Sequence, residues 1–163
     1  MAPMHLTNAI TIDGDLQRIY QLGAEIERWP EILPHYRRVQ IVRASADGRR
    51  VEAKMAARRG RIPVSWVCRQ ERLPDEPRIT FRHIGGFTKG MDVAWTFEQH
   101  PDGLVTVRID HEFRKGWPLI DDFVSERVVG EFFVSAIAGR TLATVKQIAE
   151  RERAAQVEPK GQA

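Results

Sequence analysis

Three side chains combine proton-transfer chemistry with positions that could face an interior. Tyr36 follows a proline-bounded segment, His111 alternates with apolar residues, and Arg82 lies in the run Ile79-Thr80-Phe81-Arg82-His83. An imidazole titrates near neutral pH and passes protons, a phenol donates one, and a fixed guanidinium stabilises an enolate or a carboxylate. These three residues are therefore the candidate catalytic groups.

Each candidate also has a purely structural interpretation. Tyr36 either packs or donates its phenol into a pocket, and His111 is either a satisfied sheet histidine or a pocket acid or base. For Arg82 the strand face is open, because either Phe81 and His83 point inward or Arg82 does. The sequence pattern alone leaves these alternatives unresolved.

A second group of residues would line the same interior. Its members fall at every second position of strand-like runs, where polar side chains sit among aromatic ones. A buried polar group without a partner costs about 1–3 kcal/mol, so the chain either pairs these groups or uses them to line a wet pocket. The cysteine of the set fits an inert core thiol better than a nucleophile, since no base is assigned to it. The set comprises Trp66, Cys68, Gln70, Met91, Trp95 and Ile109.

The elements that must position these residues follow from periodicity. A first strand is predicted over His5–Ile12, followed by a helix capped by Asp15 and a second short helix at the Trp29-Pro30 joint. Six strands with one polar face each follow from Val39 to Phe113, and a long amphipathic helix runs from about Leu119 to about Arg153. The predicted fold is α+β: a curved seven-stranded antiparallel sheet around the last helix, with a cavity between them.

Length and composition bound the remaining possibilities. The 163 residues predict a single domain over residues 1–153 and a disordered tail over 154–163. The single cysteine, and no signal peptide or apolar run long enough to cross a membrane, favour a reducing, cytoplasmic location. No nucleotide motif or metal-ligand spacing occurs, so no cofactor and no metal are predicted. The net charge of +3 is spread in doublets without a basic, aromatic-interleaved face, which argues against nucleic acid.

Three segments carry a family resemblance: Trp29-Pro30-Glu31-Ile32-Leu33-Pro34-His35-Tyr36, Ser65-Trp66-Val67-Cys68 and Met91-Asp92-Val93-Ala94-Trp95. They resemble the polyketide aromatase/cyclases of the Bet v1/START-like (SRPBCC) superfamily. The resemblance implies a helix-grip fold whose cavity accepts a poly-β-ketone tethered to an acyl carrier protein and directs aldol cyclisation and dehydration.

The resemblance also assigns roles to residues. Arg82 matches the pocket arginine and would stabilise the enolate and then the alkoxide, while Tyr36 or His111 would move protons. An arginine-rich rim, including the doublet Arg37-Arg38, would receive the acidic carrier protein, and a homodimer is compatible with this interpretation. The residues that would set the folding of the bound chain are Trp29, Leu33, Trp66, Met91 and Trp95.

The chain departs from the family pattern at three positions. Cys68 and Gln70 stand where the best-known cyclases carry a serine and an arginine, and Ile109 stands where an aromatic residue is expected. These changes keep a second function open, a non-catalytic carrier of a quinone, a lipid or another hydrophobic molecule, because such pockets need only apolar walls and a few polar anchors.

Overall fold

The computed structural model describes residues 4–86, 88–113 and 133–158. The elements in chain order are β1 (Met4–Ile12), α1 (Leu16–Ala24), a 3-10 turn (Ile26–Arg28), α2 (Trp29–Ile32), β2 (Tyr36–Ala44), β3 (Arg50–Arg59), β4 (Ile62–Leu73), β5 (Arg78–Gly86), β6 (Met91–Gln99), β7 (Val105–Phe113) and α3 (Ser135–Val157). The predicted fold class, with two short helices after the first strand and a helix at the C-terminal end, is confirmed.

The seven strands form one antiparallel sheet in the order β1-β7-β6-β5-β4-β3-β2. Alternation of buried and exposed residues explains which face is covered: along β3, Val51, Ala53, Met55 and Ala57 are buried while Lys54 is exposed. Because side chains alternate across a strand, one face of the sheet is apolar and packs under the helices.

The N-terminal helix α1 is set by a cap and a close contact. The Asp15 carboxylate accepts a hydrogen bond from the Arg18 backbone N–H at 2.9 Å, which starts the helix. At Gly23 a Cβ atom would lie 3.0 Å from the Trp95 ring, closer than ordinary packing allows. Glycine at this position therefore lets α1 rest directly on the Trp95 ring of β6.

The C-terminal helix α3 is fastened to the N-terminal part of the chain. Asn8 of β1 donates to the Ser135 hydroxyl at 3.2 Å, and the Arg18 guanidinium makes two hydrogen bonds to Glu152 at 2.8 and 2.9 Å. These contacts hold α3 over the buried face of the sheet, where Leu142 and Val145 are buried. No described helix is long and apolar enough to cross a membrane.

The predicted ends of the last helix need one correction. The helix continues to Val157, so the prediction of a disordered tail from Ala154 is wrong for residues 154–157. Alanine and glutamine are good helix formers and extend α3 without tertiary contacts. The predicted start at Leu119 lies outside the described residues.

Candidate active site

A cavity lies between the buried face of the sheet and the first turns of α3. Its volume is about 80 Å³, which is room for several water molecules. Its wall includes seven of the predicted site residues, namely Trp29, Tyr36, Trp66, Met91, Trp95, Ile109 and His111. The structure thus brings seven of the eleven candidate residues together at one cavity.

Aromatic rings form the greater part of the wall. The Trp29 ring is 4.8 Å from the Tyr36 ring and 5.9 Å from the Trp95 ring, between centroids, and Tyr36 lies 6.1 Å from Trp66. The indole N–H of Trp29 donates to the Leu22 carbonyl at 2.9 Å, so this ring presents an apolar surface to the cavity. The wall suits a flat, largely apolar ligand.

One polar group in the wall is centred on Thr141 of α3. Its hydroxyl donates to the Ile137 carbonyl at 2.8 Å and lies 2.7 Å from Nε2 of His35. The phenol of Tyr36 also interacts with this hydroxyl. Burial raises the pKa of Tyr36, so the phenol remains protonated at neutral pH.

The other polar group in the wall contains two histidines. His83 of β5 contacts the hydroxyl of Thr88 through Nδ1 and stacks on Trp66 with ring centroids 5.6 Å apart. His111 of β7 lines the same cavity, and its Nδ1 atom is buried without a hydrogen-bond partner in the described part of the chain. Burial lowers the pKa of His83 to about 3 and that of His111 to about 4, so both rings are neutral at pH 7.

Arg82 does not face the cavity, so the inward orientation implied by the family resemblance is wrong. On β5 the buried residues are Ile79, Phe81 and His83, while Arg82 is exposed on the opposite face. Two large apolar side chains fix this alternation, because a shift by one residue would place them in solvent. The inward position next to Arg82 is occupied by an uncharged imidazole.

On the outer face of the sheet, Arg82 is part of a row of charged residues. A row of mostly charged residues crosses all seven strands there, each one paired in register with the next, and opposite charges meet at several of the pairs. In strand order from β2 to β1 the row is Arg43, Glu52, Arg69, Arg82, Asp92, Glu112 and His5. An open groove of about 780 Å³ runs along this row, separate from the internal cavity.

Three further predicted wall residues are buried outside the cavity. Leu33 is fully buried in the core after α2. Cys68 lies behind the wall, with its thiol 3.3 Å from the sulfur of Met55, and burial raises its pKa to about 12. Gln70 donates to the Ala24 carbonyl at 2.9 Å, which fixes the end of α1. Leu33 packs in the core, and the polar atoms of Cys68 and Gln70 are paired within the protein, so the described cavity wall includes none of the three and the prediction that they line the pocket is wrong.

Four polar residues of the site were missed as site residues: His35, His83, Thr88 and Thr141. His83 was one of two open alternatives for its strand face. Thr88 comes from the β5–β6 turn, and Thr141 pairs with a histidine 106 residues earlier in the chain. Neither threonine lies in a periodic pattern that points to a pocket, so only the folded chain reveals them. Among the described residues no cluster could hold a metal ion.

The chain was compared with protein families and known structures. Residues 12–129 match the family model described as polyketide cyclase / dehydrase and lipid transport. A protein of Streptomyces halstedii named "Putative polyketide cyclase" is 30% identical over 106 residues, covering 62% of this chain and 94% of the relative.

Two solved structures share the fold. The Zhui aromatase/cyclase of a Streptomyces species superposes with a TM-score of 0.79 at 16% identity, covering 93% of this chain and 96% of that one. A START superfamily protein from Mycobacterium smegmatis gives a TM-score of 0.70 at 13% identity, with 90% and 97% covered. The fold is thus START-like, and the chain belongs to the polyketide cyclase/dehydrase and lipid transport family.

Proposed function

We propose that the chain is an aromatase/cyclase that folds a carrier-tethered poly-β-ketone in its internal cavity and directs an aldol cyclisation and dehydration. The observation that carries this proposal is a neutral imidazole, His111, in a cavity wall formed mostly by aromatic rings; its Nδ1 atom is buried and has no hydrogen-bond partner among the described residues. A neutral imidazole can accept a proton at the pH of the cell.

The proposed reaction begins with proton abstraction. Nδ1 of His111 accepts a proton from an activated methylene of the bound chain, and the resulting enolate carbon attacks a ketone carbon held against the aromatic wall. The new alkoxide accepts the proton of the Tyr36 phenol. In the dehydration, the tyrosinate of Tyr36 removes a second proton from the same carbon, and the imidazolium of His111 protonates the hydroxyl, which leaves as water. Both residues return to their starting protonation states, and the double bond that leads to the aromatic ring is formed. These steps involve no change of oxidation state, so the prediction that no cofactor is required remains part of the proposal.

Positioning is the main contribution of the wall in this proposal. Closing one ring out of several alternatives requires that one methylene lie within reach of one ketone, and holding both in place can supply several kcal/mol of the barrier reduction. The rings of Trp29, Trp66 and Trp95 surround the cavity and would restrict the folding of a flexible chain. The cavity is smaller than the roughly 300 Å³ typical of ligand pockets, so a long chain would have to enlarge it.

A basic surface close to the cavity is the proposed docking site for the acidic carrier. Arg37, Arg38 and Lys54 line an outer groove whose base includes Met55 and Trp66. The last two residues also belong to the cavity wall, so this basic groove lies next to the site. Complementary charge would orient the carrier and speed the encounter.

The test is reconstitution with a carrier-bound poly-β-ketone, comparing the native chain with His111→Gln and with no protein. We expect the native chain to yield one cyclised, dehydrated product and the variant to yield the unguided mixture at least a hundredfold more slowly. If both proteins leave the product distribution of the blank unchanged while binding a quinone or lipid, the chain is a carrier and not a cyclase.

A further inference from the structure

His111 lines the cavity and has a ring nitrogen without a hydrogen-bond partner. The residue is 6% exposed, and its Nδ1 atom is buried with no partner among the described residues. A buried imidazole nitrogen left without a hydrogen bond destabilises the protein, because it loses its contact with water and gains no partner. A ligand atom that hydrogen-bonds to Nδ1 would remove this cost, so the position selects for an oxygen or nitrogen in the ligand.

His83 and His111 line the same cavity from β5 and β7, with β6 between them. Phe81 is paired in register with Val93, and Val93 with His111, so His83 is one inward position further along β5. Thr88 engages Nδ1 of His83 and Trp66 stacks on its ring, which together fix the plane of the imidazole. Any hydrogen bond that His83 makes towards the cavity must therefore come from Nε2.

The described cavity wall contains no lysine, arginine, aspartate or glutamate. The two histidines do not supply a charge, because burial lowers both pKa values and His111 further lowers that of His83. A carboxylate placed here would lose its hydration without gaining a counter-ion, which costs several kcal/mol. An uncharged oxygen would lose much less and would still satisfy the imidazole.

We infer that His83 and His111 form a recognition pair for the oxygen of an uncharged enol, phenol or ketone, and that the pair excludes carboxylates from the cavity. The inference concerns the cavity of the proposed function and names the chemical class that it binds. The O–H of a bound enol or phenol donates to Nδ1 of His111. The Nε2–H of His83 donates to a lone pair of the same oxygen or to a neighbouring oxygen of the ligand. His83 thereby occupies the inward position that the family resemblance assigned to Arg82. It offers the ligand a hydrogen bond from a neutral ring instead of the charge of a guanidinium.

Three single-ring probes test this pair in the full chain. Phenol, benzene and benzoate have similar size and differ in their polar group. With uniformly 15N-labelled protein, we expect phenol to shift the Nδ1 resonance of His111, benzene to bind without that shift, and benzoate to bind at least tenfold more weakly than phenol. Benzoate binding as tight as that of phenol, or bound phenol that leaves Nδ1 unchanged, would overturn the inference.

Variants separate recognition from folding. His111→Gln and His83→Gln should each weaken phenol about five- to tenfold and leave benzene unchanged, the loss expected for one hydrogen bond. His100→Gln, whose ring bonds to Thr106 on the β6–β7 hairpin, is the matched control and should change neither. Thr88→Val keeps His83 but removes the hydroxyl that contacts its Nδ1, so the variant should shift the 15N resonance of His83. It serves as a second test of the pair where His83→Gln does not fold. An unmoved His83 resonance in Thr88→Val would contradict the anchoring.

The outcome is independent of catalysis. If phenol binds as expected but no carrier-bound poly-β-ketone is cyclised, the proposed function fails and the recognition pair remains. If cyclisation proceeds while phenol leaves both histidine resonances unmoved, the recognition pair fails and the proposed function remains.

Discussion

The rings of Trp66 and His83 stack across the β4–β5 pair with their planes only 8° apart and their centroids 5.6 Å apart. Neighbouring strands are about 4.8 Å apart, so the stack follows from two inward side chains on adjacent strands. It makes one flat surface from an apolar ring and a polar ring. Gly86, the last residue of β5, lies directly against the backbone of Ser65 and Trp66 in β4 and so allows this close approach.

Gly86→Ala should disrupt that surface. Gly86 has φ +81°, and a Cβ atom there would lie 2.6 Å from the Ser65 carbonyl oxygen and 2.7 Å from Cα of Trp66. We expect a loss of about 2–4 kcal/mol in the free energy of unfolding, measured with urea. Gly90→Ala is the control, because φ is +95° but a Cβ meets nothing within 4 Å in the described structure. A loss for Gly86→Ala no larger than that for the control would contradict the backbone contact.

Tyr36→Phe should slow the proposed cyclisation with little effect on the fold. The variant removes the protonated phenol next to Thr141, and loss of a general acid typically costs a hundredfold or more in rate. The chain has one other tyrosine, Tyr20, whose hydroxyl lies 3.5 Å from the Arg78 carbonyl outside the cavity. Product formation by Tyr20→Phe should match the native rate. Equal rates for both variants would remove Tyr36 from the mechanism.

Stability should fall as the pH is lowered from neutral, because three histidines are buried uncharged. Burial lowers the pKa of His35 to about 4, that of His83 to about 3 and that of His111 to about 4. Between these values and the ordinary value of about 6.5, the unfolded chain binds more protons than the native chain. The stabilisation is therefore complete above about pH 6.5 and is lost as the pH falls towards 4.

Urea unfolding between about pH 7.5 and about pH 5.5 measures this loss above the range in which most carboxylates titrate. Each histidine should contribute on the order of 1 kcal/mol per pH unit below about 6.5. His35→Gln should reduce the slope, because it removes one of the three buried neutral rings. A flat profile in the native chain would show that the three rings can be protonated in place.

Arg82→Gln should leave both the fold and the cavity intact. Arg82 is exposed on the outer face, in register with Arg69 and Asp92, so its removal uncovers no buried group. Surface substitutions of this kind usually change stability by less than about 0.5 kcal/mol. Binding of phenol should also be unchanged, in contrast to His83→Gln at the next position. Weaker phenol binding in Arg82→Gln would place its guanidinium in the cavity after all.

Reversing charge at the start of β2 should impair use of a carrier-bound substrate. Arg37 and Arg38 are exposed beside the cavity wall, and Arg37→Glu with Arg38→Glu would repel an acidic carrier. We expect KM for the carrier-bound substrate to rise about tenfold at low salt while kcat and phenol binding stay constant. Arg82→Glu with Arg108→Glu, two exposed residues on the outer face of the sheet, is the charge-matched control. An unchanged KM would exclude this groove as the docking surface.

The fold could be predicted because alternation and turns are local properties of the sequence. The inner faces of β6 and β7 alternate cleanly, so the pattern alone puts Met91, Trp95, Ile109 and His111 on inward faces. It leaves open whether His111 packs in the sheet or lines a pocket. On β5 both faces carry an apolar residue, so only packing against the neighbouring strands could decide between Arg82 and His83. A register shift between Val67 and Cys68 lies at this strand pair, and no sequence pattern announces it.

Residues that are buried are not always residues that line a pocket. Cys68 and Gln70 lie on the buried face of β4, as predicted. The thiol of Cys68, however, contacts the sulfur of Met55, and the amide of Gln70 donates a hydrogen bond to the Ala24 carbonyl. The sequence shows which face is inside, but it does not show which inner side chains have a partner. That distinction depends on contacts between residues far apart in the chain, and it separates the wall of this cavity from the core around it.

The hydrogen bond between His35, just before β2, and Thr141, in the last helix, joins two parts of the chain that are 106 residues apart. Synthesis proceeds from the N-terminus, so a growing chain carries a finished β2 long before residue 141 has left the ribosome. Until then His35 and Tyr36 lack the hydroxyl that fixes them, and the sheet lacks the helix that covers its apolar face. The last helix is therefore the element that covers the apolar face of the sheet and completes the cavity. A chain that terminated upstream of this helix would expose an aggregation-prone apolar surface and would lack the site.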